Sequence, residues 1–152
     1  MKVLISGGTG FLGHNLLKKL NKEKVLVLTR KKIRNFKNIE YHKCNLNKPK
    51  TYIKKIKKFR PNILIHLAWE GLPVYDYKTS FKNILLTKNL MEEIRKISSC
   101  KKILISGSCF ESDNLGGKVN ENSETKNNDF FSISKNFLKS WVFSYFQNTN
   151  IS

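Results

Sequence analysis

Residues 6–13 read SGGTGFLG, and the places of their glycines decide how the rest of the chain is read. Immediately before them KVLIS (2–6) is a short apolar run of the kind a buried parallel strand uses. Immediately after, the stretch from Phe11 to Asn21 sets Leu12, Leu16, Leu17 and Leu20 on one helical face and Lys18, Lys19 and Lys22 opposite. Gly7, Gly10 and Gly13 thus fall at GxxGxxG spacing in a turn from strand to helix. Glycine there lets the chain turn sharply, lets backbone approach a pyrophosphate, and lets the helix lie close on the strand. The amides that open the helix, at Phe11, Leu12 and Gly13, then face a phosphate together with the positive end of the helix dipole.

Outward from this unit the pattern repeats. KVLVLT (24–29) reads as a second buried strand and IEYHKC (39–44) as a third that alternates more. A helix is expected from Pro49 to Phe59, a fourth strand at NILIHLA (62–68), and a long helix from Thr79 to Ile97 with Phe81, Ile84, Leu85, Met91 and Ile94 turned inward. KKILIS (101–106) is the fifth strand, residues 107–128 an irregular polar loop, and Phe130 to Phe146 the last helix. That helix carries Phe137, Leu138, Trp141, Val142, Phe143, Tyr145 and Phe146, apolar nearly all round, which predicts burial on two sides. Apolar strands alternating with helices predict an α/β fold, a doubly wound parallel sheet.

A chain of 152 residues supports one ordinary domain, here 1–152. Its apolar runs, such as ILIHLAW at 63–69, are too short to span a bilayer or to serve as a secretory signal, so the expected location is cytoplasmic and no membrane partner is expected. Cys44, Cys100 and Cys109 are odd in number and lack metal-ligand spacing, which predicts reduced thiols and no metal site. The net charge of +18 is concentrated early, with 18 Lys and Arg against Glu23 and Glu40 in residues 1–60. Of the 29 cations 25 are lysine, spread over several elements. That favours a solvated lysine-rich surface over a nucleic-acid site.

With GGTGFLG, IHLAW at 65–69, Asn83 in FKNILLTKNL and ILISGSCFE at 103–111, the chain resembles the extended short-chain dehydrogenase/reductases, in particular the NAD-dependent epimerase/dehydratase group that acts on nucleotide sugars. The resemblance implies a Rossmann fold and a nicotinamide dinucleotide. At the end of the second strand, LTRKK puts Arg30 where an NAD enzyme commonly has an acid and an NADP enzyme an arginine, so NADP is favoured over NAD. After the third strand the family's Asp-Leu or Asp-Val pair is Asn45-Leu46 here, and an amide oxygen accepts from the adenine amino group without the charge. Leu67, Ala68 and Trp69 correspond to backbone that lines the cofactor, while His66 reads as a packed strand histidine.

The family's chemistry uses a Ser or Thr after strand five and a Tyr and Lys at YxxxK spacing on the next helix. The resemblance assigns the serine to Ser108, with Ser106 the alternative, the lysine to Lys135, and the helix asparagine that supports the site to Asn83. Four residues before Lys135 stands Phe131, so the proton-transferring hydroxyl is missing. Neither Tyr145, near the far end of the helix, nor Tyr77, expected in the loop before the long helix, replaces it.

NTNIS (148–152) falls where the family enters its sixth strand, so the resemblance covers the N-terminal portion and the fold is expected to be truncated after the helix that follows strand five. The C-terminal substrate-binding part is then absent. Relatives pair through the two helices expected at 79–97 and 130–146, their helices four and five, which makes the expected partners a nucleotide sugar and either a second copy or a complementary C-terminal half. The alternative from another class is a non-catalytic dinucleotide-binding or subunit-pairing module.

Overall fold

The computed structural model describes residues 1–112, 119, 120, 123, 125 and 129–152. Of the loop expected at 107–128, residues 113–118, 121, 122, 124 and 126–128 therefore lie outside the described residues. Five strands, β1 (Lys2–Ser6), β2 (Lys24–Thr29), β3 (Ile39–Lys43), β4 (Ile63–His66) and β5 (Lys102–Ile105), form one sheet in the order β3-β2-β1-β4-β5. Every pairing is parallel. Helix α1 (Phe11–Lys19) covers one face; α2 (Ile53–Phe59), α3 (Tyr77–Arg95) and α4 (Phe130–Phe146) belong to the other. This is the doubly wound arrangement that the alternation of apolar runs predicts.

Strand register divides the core between the faces. Val3, Ile5, Val25 and Val27 pack with Leu17 of α1, while Leu4, Leu26 and Leu64 pack with Ile56, Leu90, Met91 and Ile94. Residues two apart share a face, so the inner strands β1, β2 and β4 feed both cores, while the edge strands feed one each, β3 through Ile39 and Tyr41 and β5 through Ile103 and Ile105.

Several helix details differ from expectation. Residues 49–59 are split into a 3₁₀ turn (Pro49–Thr51) and α2, because Tyr52 between them leaves helical geometry at φ −134°. Asp76 accepts a 2.7 Å hydrogen bond from the Thr79 N–H, so α3 starts at Tyr77, which is helical rather than in a loop. Phe81 and Leu85 are exposed, whereas Met91 and Ile94 turn inward as expected and are joined on the buried face by Ser80, Asn83, Leu86, Thr87 and Leu90. Polar residues thus sit on the buried stripe near the start of α3, where Asn83 meets loop backbone and Thr87 the imidazole of His66. Leu12 on α1 is likewise exposed. On α4 burial is one-sided: Leu138 and Phe146 are buried, whereas Phe143 is 73% exposed and Phe137 49%.

Candidate functional site

The turn after β1 is built by absence of side chains. Gly7 has φ +75°, and a Cβ there would lie 2.6 Å from the Ala68 nitrogen and 2.7 Å from the Leu67 carbonyl carbon. A Cβ at Gly13 would lie 2.4 Å from the Gly7 oxygen and 2.5 Å from the Gly8 Cα. Neither backbone neighbour can yield, so helix α1 crosses the loop at a distance only glycine permits. Gly10 is less constrained, its Cβ meeting the Gly7 oxygen at 3.3 Å. It is the N-cap of α1 and offers no side-chain cap. Phe11 and Leu12, exposed at this helix start, leave the dipole end open to solvent.

The loop after β4 runs alongside this turn and is fixed by Asn83, which is fully buried. Its amide oxygen accepts from the Glu70 N–H (2.7 Å), and its amide nitrogen donates to the carbonyls of Glu70 and Thr79 (2.9 Å each). Asn83 therefore positions the backbone that follows Leu67, Ala68 and Trp69. Arg30, just beyond β2, is 72% exposed at its side chain and ion-pairs with Glu70 at 3.4 Å. Asn45 accepts from the Asn47 N–H at 3.0 Å, an Asx turn that leaves a second lone pair on its oxygen. Leu46 turns its side chain into the core.

Lys135 is 8% exposed and lies on the inner side of α4. Its ammonium donates to the Ser106 carbonyl oxygen at 2.8 Å and sits 4.3 Å above the Trp69 ring. Burial holds its amine below the usual lysine range, against the pull of the Glu111 carboxylate. Ser108 makes its hydrogen bonds to partners other than Lys135. It caps the 3₁₀ turn Cys109–Glu111, its hydroxyl accepting from the Phe110 N–H at 3.3 Å while its own N–H donates to Glu111 at 2.5 Å. His66 is buried with its ring nitrogens 2.5 Å from the Ser6 hydroxyl and 2.9 Å from that of Thr87. Burial, and then the charge of Lys135, push its pKa down to about 3.

Phe131 is 5% exposed and packed edge-on against Trp69 with ring centres 5.1 Å apart. The Tyr75 ring centre lies at the same distance from that of Phe131, and the Phe110 ring centre at 6.1 Å. Tyr75, Glu70 and Glu111 are site neighbours that motif spacing did not single out. Glu70 directly follows the IHLAW segment, and Glu111 ends ILISGSCFE; Tyr75 reaches the site only through the loop between β4 and α3.

A parallel sheet of this order, with a glycine turn at the start of α1 and helices on both faces, defines a Rossmann-type α/β fold. The chain belongs to the NAD dependent epimerase/dehydratase family, which it matches over residues 3–152. It is 32% identical over 119 residues to Protein Rcp of Vibrio cholerae serotype O1, covering 72% of this chain and 57% of that protein. The fold superimposes on UDP-glucose 4-epimerase of Thermus thermophilus in complex with NAD, with a TM-score of 0.82 at 21% identity over 99% of this chain and 52% of that one. For the Thermotoga maritima UDP-glucose 4-epimerase with UDP-glucose the TM-score is 0.81 at 20% identity, over 99% and 53%. The chain spans about half the length of these relatives.

Proposed function

We propose that residues 1–152 are the nicotinamide-dinucleotide-binding portion of an epimerase, dehydratase or reductase acting on a nucleotide sugar, with Phe131 in the place of the proton-transferring tyrosine. The observation that carries this reading is the glycine cradle, where added Cβ atoms at Gly7 and Gly13 would strike backbone at 2.6 and 2.4 Å. Such closeness frees the amides of Phe11, Leu12 and Gly13 to meet a pyrophosphate. A second fitting feature is the indole N–H of Trp69, buried and without a hydrogen-bond partner among the described residues, beside Lys135. A buried donor of this kind is satisfied by a ligand acceptor.

In this reading Asn45 accepts from the adenine amino group, Arg30 faces the adenosine ribose and favours NADP over NAD, and Leu67, Ala68 and Trp69 line the dinucleotide. Lys135 holds a ribose hydroxyl while keeping its charge, Asn83 fixes the loop after β4, and Ser108, released from its cap, holds the substrate oxygen. The bound dinucleotide supplies hydride exchange. What this chain does not supply at Phe131 is the hydroxyl that passes the accompanying proton, so the isolated chain binds cofactor and turns over little or no sugar nucleotide. A fluorescence titration with NADPH and NADH tests it: saturable binding with negligible turnover is expected, and failure of both to bind removes the reading.

A subunit-pairing module is the second reading, favoured by the apolar groove beside the edge strand β5. Ser152 donates to the Lys101 carbonyl (3.0 Å) and accepts from the Ile103 N–H (2.8 Å), which flanks Lys102 in the manner of a parallel strand. Beside it a groove of about 630 Å³ runs between β5 and α4, lined by Ile103, Ile105, Leu138, Val142 and Phe146. A complementary half bearing a parallel strand would extend the sheet and cover Phe143. Mixing the chain with a polypeptide equivalent to the relatives' second half should give a stoichiometric complex by sedimentation, weakened by Phe143→Glu; no complex would remove this reading.

A further inference from the structure

We propose that Glu70 sets how strongly the site discriminates between dinucleotides with and without a 2′-phosphate. The inference rests on the dinucleotide reading above and concerns a residue with no part in the motif resemblance. In the sheet order β2 and β4 flank β1, so residues just beyond both strands face each other over the turn at Gly7. From the β2 side comes Arg30; from the β4 side comes Glu70, whose carboxylate receives Arg30 at 3.4 Å and Lys82 at 2.6 Å. The two ends of this ion pair are unequal. Glu70 is 16% exposed at its side chain and its N–H and carbonyl are both held by the buried Asn83, whereas the Arg30 side chain is 72% exposed. The Glu70 backbone is anchored and its carboxylate is also paired with Lys82, whereas the guanidinium lies in solvent.

No acid follows β2, where an NAD site commonly has one, yet a carboxylate reaches the same guanidinium from the opposite strand. A dinucleotide with free ribose hydroxyls leaves the Arg30–Glu70 pair intact. One carrying a 2′-phosphate gains Arg30 only by drawing it off Glu70, and places its own negative charge near a half-buried carboxylate. Glu70 therefore offsets part of the NADP preference that Arg30 confers, and the balance of the two residues fixes the ratio of affinities.

The test titrates NADPH and NADH into the full chain and into Glu70→Gln, Arg30→Ala and the double variant. Glutamine retains length and polarity while removing the charge. Glu70→Gln should tighten NADPH by about fivefold, the effect of one unit charge at close range in water, and shift NADH less than about twofold. Arg30→Ala should weaken NADPH selectively, and in the double variant the gain from Glu70→Gln should vanish. Binding of both dinucleotides with an unchanged ratio in Glu70→Gln overturns this proposal alone, as does selective loss of NADH. Absence of binding by the unaltered chain overturns the dinucleotide reading and this proposal with it.

Discussion

The Lys135 ammonium lies 5.8 Å from the centre of the Phe131 ring, one helical turn away on the same face of α4, with Trp69 beside both. A cation poised over aromatic rings is stabilised where it stands, but a phenyl ring has no proton to give.

Phe131→Tyr should therefore restore proton transfer in a version of the chain joined to the second half found in its relatives. Turnover is expected to rise by about 10²- to 10⁴-fold, with little change in dinucleotide affinity. Equal turnover in the two versions, measured as sugar-nucleotide conversion, would contradict the role given to this position.

The glycines should differ sharply in what they tolerate. Gly13→Ala sets a Cβ 2.4 Å from the Gly7 oxygen and should abolish dinucleotide binding and lower the thermal midpoint, whereas Gly10→Ala, at 3.3 Å, should leave the fold intact. Paired thermal melts and NADPH titrations check both, and an unperturbed Gly13→Ala would mean that α1 does not press on the loop.

The sheet and the glycine turn were legible in sequence because each buried parallel strand must be apolar on both faces and the turn admits little besides glycine. On α3 the inward positions Met91 and Ile94 were legible too, but the buried face of its first half was not. Asn83 and Thr87 are buried with hydrogen bonds to the β4 loop and to His66, so hydrophobic periodicity pointed instead to Phe81 and Leu85, which face out. The Arg30–Glu70 pair was also hidden, since residues forty apart meet only through strand order. On the two-sided apolar character of α4, composition did not reveal that one side is open.

That one-sidedness predicts a contrast in stability. Leu138→Ala, at a residue 3% exposed, should cost about 2–5 kcal/mol, and Phe143→Lys, at one 73% exposed, should stay within about 0.5 kcal/mol. Chemical denaturation of both variants measures it; a costly Phe143→Lys would show that residue covered in solution.

His66 should make stability fall in mild acid. Its folded pKa is pushed down to about 3 from 6.5, so the unfolded chain takes up a proton that the folded ring refuses between those values. The contribution is complete above the unfolded value and is lost as pH falls below it, by up to about 1.4 kcal/mol per pH unit. Denaturant melts across this window should show that slope, and His66→Gln should reduce it by one proton's worth. An identical slope in the variant would mean that His66 is protonated in the folded chain.

The central claim, that this half-length chain holds a nicotinamide dinucleotide on its glycine turn, is most directly tested by the thermal unfolding of residues 1–152 with and without NADPH. At a ligand concentration 100 times the dissociation constant, binding to the folded state should add about 2.7 kcal/mol and raise the midpoint accordingly, with no rise in Gly13→Ala. A midpoint that is unmoved by both NADPH and NADH at millimolar concentration, in a chain that otherwise melts cooperatively, would contradict it.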